Sequence, residues 1–206
     1  MRFFNPDSKF AQMMTSFGEM MLLNLCWILG SLPLITIGAS NVAMYTVMGR
    51  RLREEDKGTI VPFFQAWWRN LKAATPFWLF QAFASGSLLM LLFMNFPLAL
   101  KLLAGLLLLI MSLMMGTVYP QIARFRNRPF AYLRNSLILL VLKLKWVVLN
   151  LLLFLSPVLL FLIAPVDFLA FGFIWILFGF SMLFFLSAEI MQKVLAPLEE
   201  LGQARR

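Results

Sequence analysis

Apolar and polar positions alternate along this chain in long blocks rather than in short periods. Five blocks contain no Asp, Glu, Lys or Arg and are long enough to cross a bilayer core of about 30 Å: 20–49, 73–100, 102–123, 146–166 and 168–188. Lipid satisfies no backbone polar group, so blocks of this kind predict helices. Strand-like alternation at period two is absent, which excludes a β-barrel. The pattern predicts an all-α fold, a polytopic membrane helical bundle with five transmembrane helices. Residues 1–206 would form a single integral membrane domain.

The first block is anomalous. As one helix its thirty residues would run about 45 Å, well beyond the bilayer core. Its centre reads SLPLITIGASNVAMY over 31–45, which places Pro33, Thr36, Gly38, Ser40 and Asn41 in mid-segment. Proline removes a helical hydrogen bond and glycine admits a change of direction. The expectation is a break at 33–38 that divides a spanning helix from a second helix starting near Ser40. Asn24 and Ser31, seven apart, share one face of the first helix. The candidate polar pocket is therefore Asn24, Ser31, Thr36, Gly38, Ser40 and Asn41. The competing reading is structural: amides and hydroxyls in lipid seek partners across helix interfaces. A chain that turned back at the break would leave 41–49 as a second limb and the N-terminus on the cytoplasmic side. Nine residues are too few to cross alone, so five spans with a bent or re-entrant piece are expected.

Charge orients the bundle. Six Lys or Arg lie between the first and second blocks, six between the third and fourth, and three after the fifth; the alternate connections hold only Lys101. By the positive-inside rule the basic connections and the C-terminus are cytoplasmic, and five spans then put the N-terminus outside. Arg2 and Lys9 are balanced by Asp7 and Glu19.

The two basic connections resemble each other. VPFFQAWWRNLKAATPFWLF and RPFAYLRNSLILLVLKLKWVVLN each contain Pro-Phe, Arg-Asn, lysine and an entering tryptophan. They define a weak repeat, 61–123 and 129–190, of an interfacial helix followed by a hairpin. In the first copy Phe63, Phe64, Trp67, Trp68 and Leu71 recur at helical spacing, with Arg69 and Lys72 off that face. That pattern predicts a cytoplasmic amphipathic helix on the membrane surface or on a partner, with Pro76 in the first turn of the next span.

Composition closes off several chemistries. Apolar residues make up 62% and charged ones 13%, too few charges for a soluble surface. The net charge of +9 sits between spans, where it fits anionic lipid head groups and not nucleic acid. Histidine is absent and Cys26 is the single cysteine, so no metal or other cofactor is expected and no disulfide can form within the chain. Phosphate-binding loops, H-E-x-x-H, G-x-S-x-G and C-x-x-C are all missing, and an enzyme is not expected. Other polar residues in or near spans are Gln81, Ser85, Ser87, Asn95, Ser112, Asn150 and Ser156; Asn150 is expected to point inward.

The block from Asn24 to Trp78 carries an early Asn and Trp, SLPLITIGAS, an alanine-tyrosine helix, a basic-acidic turn and the aromatic F-x-x-W-R-N-x-K segment. It resembles the YesL-like family of bacterial integral membrane proteins of unassigned function. The resemblance covers roughly the first two-fifths of the chain. It implies a multi-pass protein of the bacterial cell membrane, encoded beside ABC sugar importer components. No catalytic residues carry over. The function expected is an accessory or regulatory membrane protein in carbohydrate uptake, acting through protein contacts in the bilayer. The alternative is a stand-alone small-solute transporter or channel, a homo-oligomer with its path near Asn24, Ser40 and Asn41.

Overall fold

The structure is a computed structural model that describes residues 9–55, 58–170 and 172–203. Arg2, Asp7, Lys57, Arg205 and Arg206, which entered the charge count, lie outside the described residues. The described chain is helical: α1 (Lys9–Ser31), a 3-10 turn (Leu34–Thr36), α2 (Ile37–Leu52), α3 (Ile60–Phe93), α4 (Leu98–Arg124), α5 (Pro129–Leu142), α6 (Leu144–Ile163) and α7 (Pro165–Ala170). The last segment runs through α8 (Gly172–Ile174), a π-helical stretch (Trp175–Gly179) and α9 (Phe180–Gln203). Five helical stretches are long and apolar enough to span a membrane: Met13–Ser31, Ile60–Phe93, Leu98–Arg124, Leu144–Ile163 and Gly172–Ala196.

The break falls where the sequence placed it. Leu32 and Pro33 bend the chain, and α2 begins at Ile37, three residues before the expected start. The second limb is longer than expected, 16 residues or about 24 Å instead of nine residues. It is the core of the bundle, not a fragment at its edge. Ala39, Val42, Ala43, Met44 and Met48 are fully buried, and α2 packs on α1, α3, α4 and α9. Without a hydrophobic drive between helices in lipid, such packing relies on small residues that let backbones approach. Gly38 supplies the closest approach. A Cβ there would lie 2.8 Å from the Ala74 carbonyl oxygen and 2.7 Å from the Trp78 Cβ on α3. Its φ is not positive, so Gly38 serves contact and not chain reversal.

α1 and α2 form an antiparallel hairpin. The Trp27 indole donates to Asn41 Oδ1 at 3.0 Å, and Glu19 pairs with Arg51 near the hairpin's open end. The N-terminus, expected on the opposite side from the first basic connection, lies outside the described residues. The early part of α1 and the end of α2 lie at the same end of the bundle.

The expected surface helix of the first repeat copy is also corrected. Residues 60–93 form one continuous helix of 34 residues, with Pro76 inside it. Its first half lies against α2: Phe63 is fully buried, and Ala66 and Ala74, eight apart, are buried on the same face. In the second copy the corresponding segment is a separate helix, α5, which ends at Leu142 with Lys143 as its cap. α5 folds back on α4 through Gln121 Nε2 to Ser136 Oγ (2.9 Å) and Tyr132 Oη to the Phe125 carbonyl (2.9 Å).

Candidate functional site

The six residues of the expected pocket do not form one pocket. Asn24 is fully buried, and its Nδ2 donates to the carbonyls of Trp175 (3.1 Å) and Ile176 (2.5 Å). Its Oδ1 accepts from the Ser181 backbone N–H at 2.9 Å. A π-helical turn leaves helix carbonyls and amides without their ordinary i–4 partners. Asn24 supplies those partners from α1, so its role is to hold the irregular last span.

Thr36 closes the break. Its hydroxyl donates to the Gly30 and Pro33 carbonyls, both at 2.7 Å. α3 adds two donors: Trp67 Nε1 donates to the same Gly30 carbonyl at 3.1 Å and Trp78 Nε1 to the Leu34 carbonyl at 2.7 Å. The backbone groups freed by Pro33 thus face protein, as lipid requires. Ser31 and Ser40 are buried, and neither hydroxyl has a partner among the described residues. Of the predicted aromatic helix, Phe63 and Trp67 belong to the core, while Trp68 is 74% exposed and Phe64, Arg69 and Lys72 are exposed with it.

Asn41 lines a cavity of about 300 Å³ between α1, α2, α3, α4, α6 and α9, and the other five are not in its lining. Its polar lining includes Asn41, Gln81 and Asn150 with Tyr45 and Tyr119. Its aromatic walls include Trp27, Trp78, Phe180 and Phe184, with Trp27 stacked on Phe180 at 4.3 Å between centroids.

The three primary amides share one arrangement. Asn41 Oδ1 accepts from Trp27, Gln81 Oε1 from the Tyr119 hydroxyl (2.7 Å) and Asn150 Oδ1 from the Ser187 hydroxyl (2.5 Å). The Tyr45 hydroxyl joins the last pair through Ser187 at 2.6 Å. An indole N–H can only donate, which fixes the orientation of Asn41 outright. Each oxygen is thus occupied, and the Asn150 amide also bonds the Tyr45 side chain, so what the Asn41 and Gln81 amides have left to offer is their N–H groups. The cavity offers hydrogen-bond donors set among aromatic faces. Chemically it suits a small molecule rich in acceptor oxygens and having apolar faces.

Sequence reading reached Gln81 and Asn150 as polar residues within spans, but not Tyr45 or Tyr119. A signal was available. The chain has three tyrosines, and Tyr45 and Tyr119 each fall within an apolar block, about one helical turn before its basic end. Among the described residues no group of three or more His, Cys, Asp or Glu could hold a metal ion.

A family model described as "Protein of unknown function, DUF624" matches residues 20–96. The match spans most of α1, all of α2 and α3, and the turn before α4. No curated protein and no solved structure matches the chain.

Proposed function

We propose that this chain is a multi-pass membrane protein without catalytic activity that holds a small polyhydroxylated solute, of the sugar class, inside its helix bundle. The observation that carries this reading is the set of three amides, Asn41, Gln81 and Asn150, lining one aromatic-walled cavity with their oxygens already taken. Sugar hydroxyls accept hydrogen bonds from such amide nitrogens, and the C–H faces of the ring lie against aromatic side chains. A volume of about 300 Å³ is at the small end of ligand sites and suits a single ring. The reading agrees with the accessory role in carbohydrate uptake that the family resemblance implies. The basic ends of α2 and α4 face the cytoplasm by the positive-inside rule, and the early part of α1 lies with them.

Titration of the purified protein with a panel of neutral monosaccharides, followed by intrinsic tryptophan emission, tests this reading. Saturable binding of at least one sugar is expected, weakened about tenfold by Gln81→Leu, the loss of one buried hydrogen bond. Absence of saturation across the panel, or binding indifferent to Gln81→Leu, refutes it. Uptake into proteoliposomes separates the roles: a transporter moves the bound sugar when reconstituted alone, an accessory protein binds it without moving it.

A further inference from the structure

The α1–α2 hairpin does not reach across the bilayer. α2 rises about 24 Å from its basic last turn, which carries Arg50 and Arg51, against a hydrocarbon core of about 30 Å. Its tip therefore ends within hydrocarbon, and the large side chains exposed there, Leu32, Leu34 and Ile35, are aliphatic. Gly38 fixes α3 against the start of α2 at Ala74 and Trp78. From that contact α3 runs on over 79–93, about 22 Å, away from the basic end of α2.

The tip and this length of α3 form a groove of about 560 Å³. Leu34 and Ile35 line it from the tip, and Ala82, Phe83, Gly86 and Met90 line it from one face of α3. All six are exposed, so the groove opens to the lipid. Its polar side chains are Ser87 and Trp78, and the Trp78 indole already donates to the Leu34 carbonyl. The groove adjoins the amide cavity. Ile37 and Trp78 line both, and on α3 Gln81 lines the cavity while its neighbour Ala82 lines the groove. A hydrogen-bonding cavity and a hydrocarbon groove thus meet at two side chains.

We propose that the cavity and the groove hold the two ends of one ligand, a sugar carried on an alkyl or prenyl chain. This rests on the sugar reading of the cavity and specifies the class: the sugar is borne by the membrane instead of being free in water. The chain exchanges one hydrocarbon environment for another, and its run from Trp78 to Met90 is about 18 Å. The ring gains the N–H groups of Asn41 and Gln81 and the aromatic faces of Trp27 and Trp78. A free sugar makes no use of the groove, and a plain acyl chain makes no use of the amides. An amphiphile uses both sides of the boundary at Ile37 and Trp78.

The test uses the full chain in phosphatidylcholine nanodiscs, with empty nanodiscs subtracted. Tritiated methyl and octyl glycosides of glucose, galactose and mannose are the probes. Ala82→Phe and Gly86→Phe fill the groove; a Cβ at Gly86 meets open space, so the packed core is left alone. Gly105→Phe, at a glycine on α4 with equal space and outside the groove, is the control. The parent should bind an octyl glycoside at least as tightly as the methyl glycoside of the same sugar. Both groove variants should weaken the octyl glycoside by about tenfold or more and leave the methyl glycoside unchanged, and Gly105→Phe should alter neither. Methyl glycoside binding without octyl glycoside binding overturns this proposal and leaves the sugar reading standing. Octyl glycoside binding that needs the groove, without methyl glycoside binding, supports the proposal and overturns the reading of a free sugar. Octyl glycoside binding indifferent to both groove variants overturns the proposal, and absence of all binding overturns both. Dissociation of an oligomer by Gly86→Phe, with glycoside binding unchanged, assigns the groove to a second copy of the chain and also overturns the proposal.

Discussion

Replacing Asn24 by leucine removes three hydrogen bonds at once and leaves three backbone groups of the last span behind. The Trp175 and Ile176 carbonyls lose their donor, and the Ser181 N–H loses its acceptor. Hydrogen bonds between membrane helices average about 0.6 kcal/mol, which sets a floor near 2 kcal/mol for the three. A buried group left unsatisfied costs about 1–3 kcal/mol, which raises the total. Carbonyls retain part of their capacity through neighbouring turns, so the expected loss is about 2–4 kcal/mol. Asn24→Asp should be worse than Asn24→Leu at neutral pH, because it sets a carboxylate against two carbonyl oxygens. The assay is reversible unfolding in mixed micelles, read by tryptophan emission. The decisive control removes the cause. Deleting Leu177 from the π-helical stretch should restore α-helical pairing, after which Asn24 has nothing to satisfy. In that background the cost of Asn24→Leu should fall below about 1 kcal/mol. A cost within 0.5 kcal/mol of zero in the parent, or an undiminished cost after the deletion, would refute the reasoning.

Two further outcomes are expected. Gly38→Ala places a Cβ within 2.8 Å of the Ala74 carbonyl oxygen, so α2 and α3 must separate; a loss of about 1–3 kcal/mol in the same unfolding assay is expected, against a small effect for Gly86→Ala, where a Cβ meets open space. In a Cys26→Ala background, a cysteine at Arg128 should react with impermeant maleimide only in inverted vesicles and one at Lys101 only in intact cells; the reverse result would overturn the orientation.

The sequence revealed lengths and interruptions because a bilayer imposes them. Five spans and a break at Pro33 follow from block length and from one imino acid, both local quantities. Partners are not local. Trp67 meets Gly30 across 37 positions and Asn24 meets Trp175 across 151, and no spacing rule links residues so far apart. The π-helical stretch has no signature in WILFG, so the reason for Asn24 was out of reach, although its role in joining helices was one of the two readings available. The aromatic run misled for a related reason. Phe63 and Trp67 occur at the spacing of a surface anchor, and equally at the spacing of a helix packed on another helix. Only the presence of α2 beside them decides between the two, and α2 is too short to announce itself as a span.

The interruption at Pro33 is what gives the bundle an interior. A straight thirty-residue helix would show lipid the face that carries Ser40, Asn41 and Tyr45. Folding back at Leu32 and Pro33 moves that face to the centre, and the buried small residues Gly38, Ala39, Ser40 and Ala43 make the centre narrow enough to occupy. Contact of Gly38 with Ala74 then sets α3 at a distance where Trp78 reaches the Leu34 carbonyl and Gln81 lines the cavity. Tyr45 lines the same cavity, and its hydroxyl is tied to Ser187 and through it to Asn150. A proline, a few small residues and a tyrosine within thirteen positions of one another thus shape one cavity at the centre of the bundle.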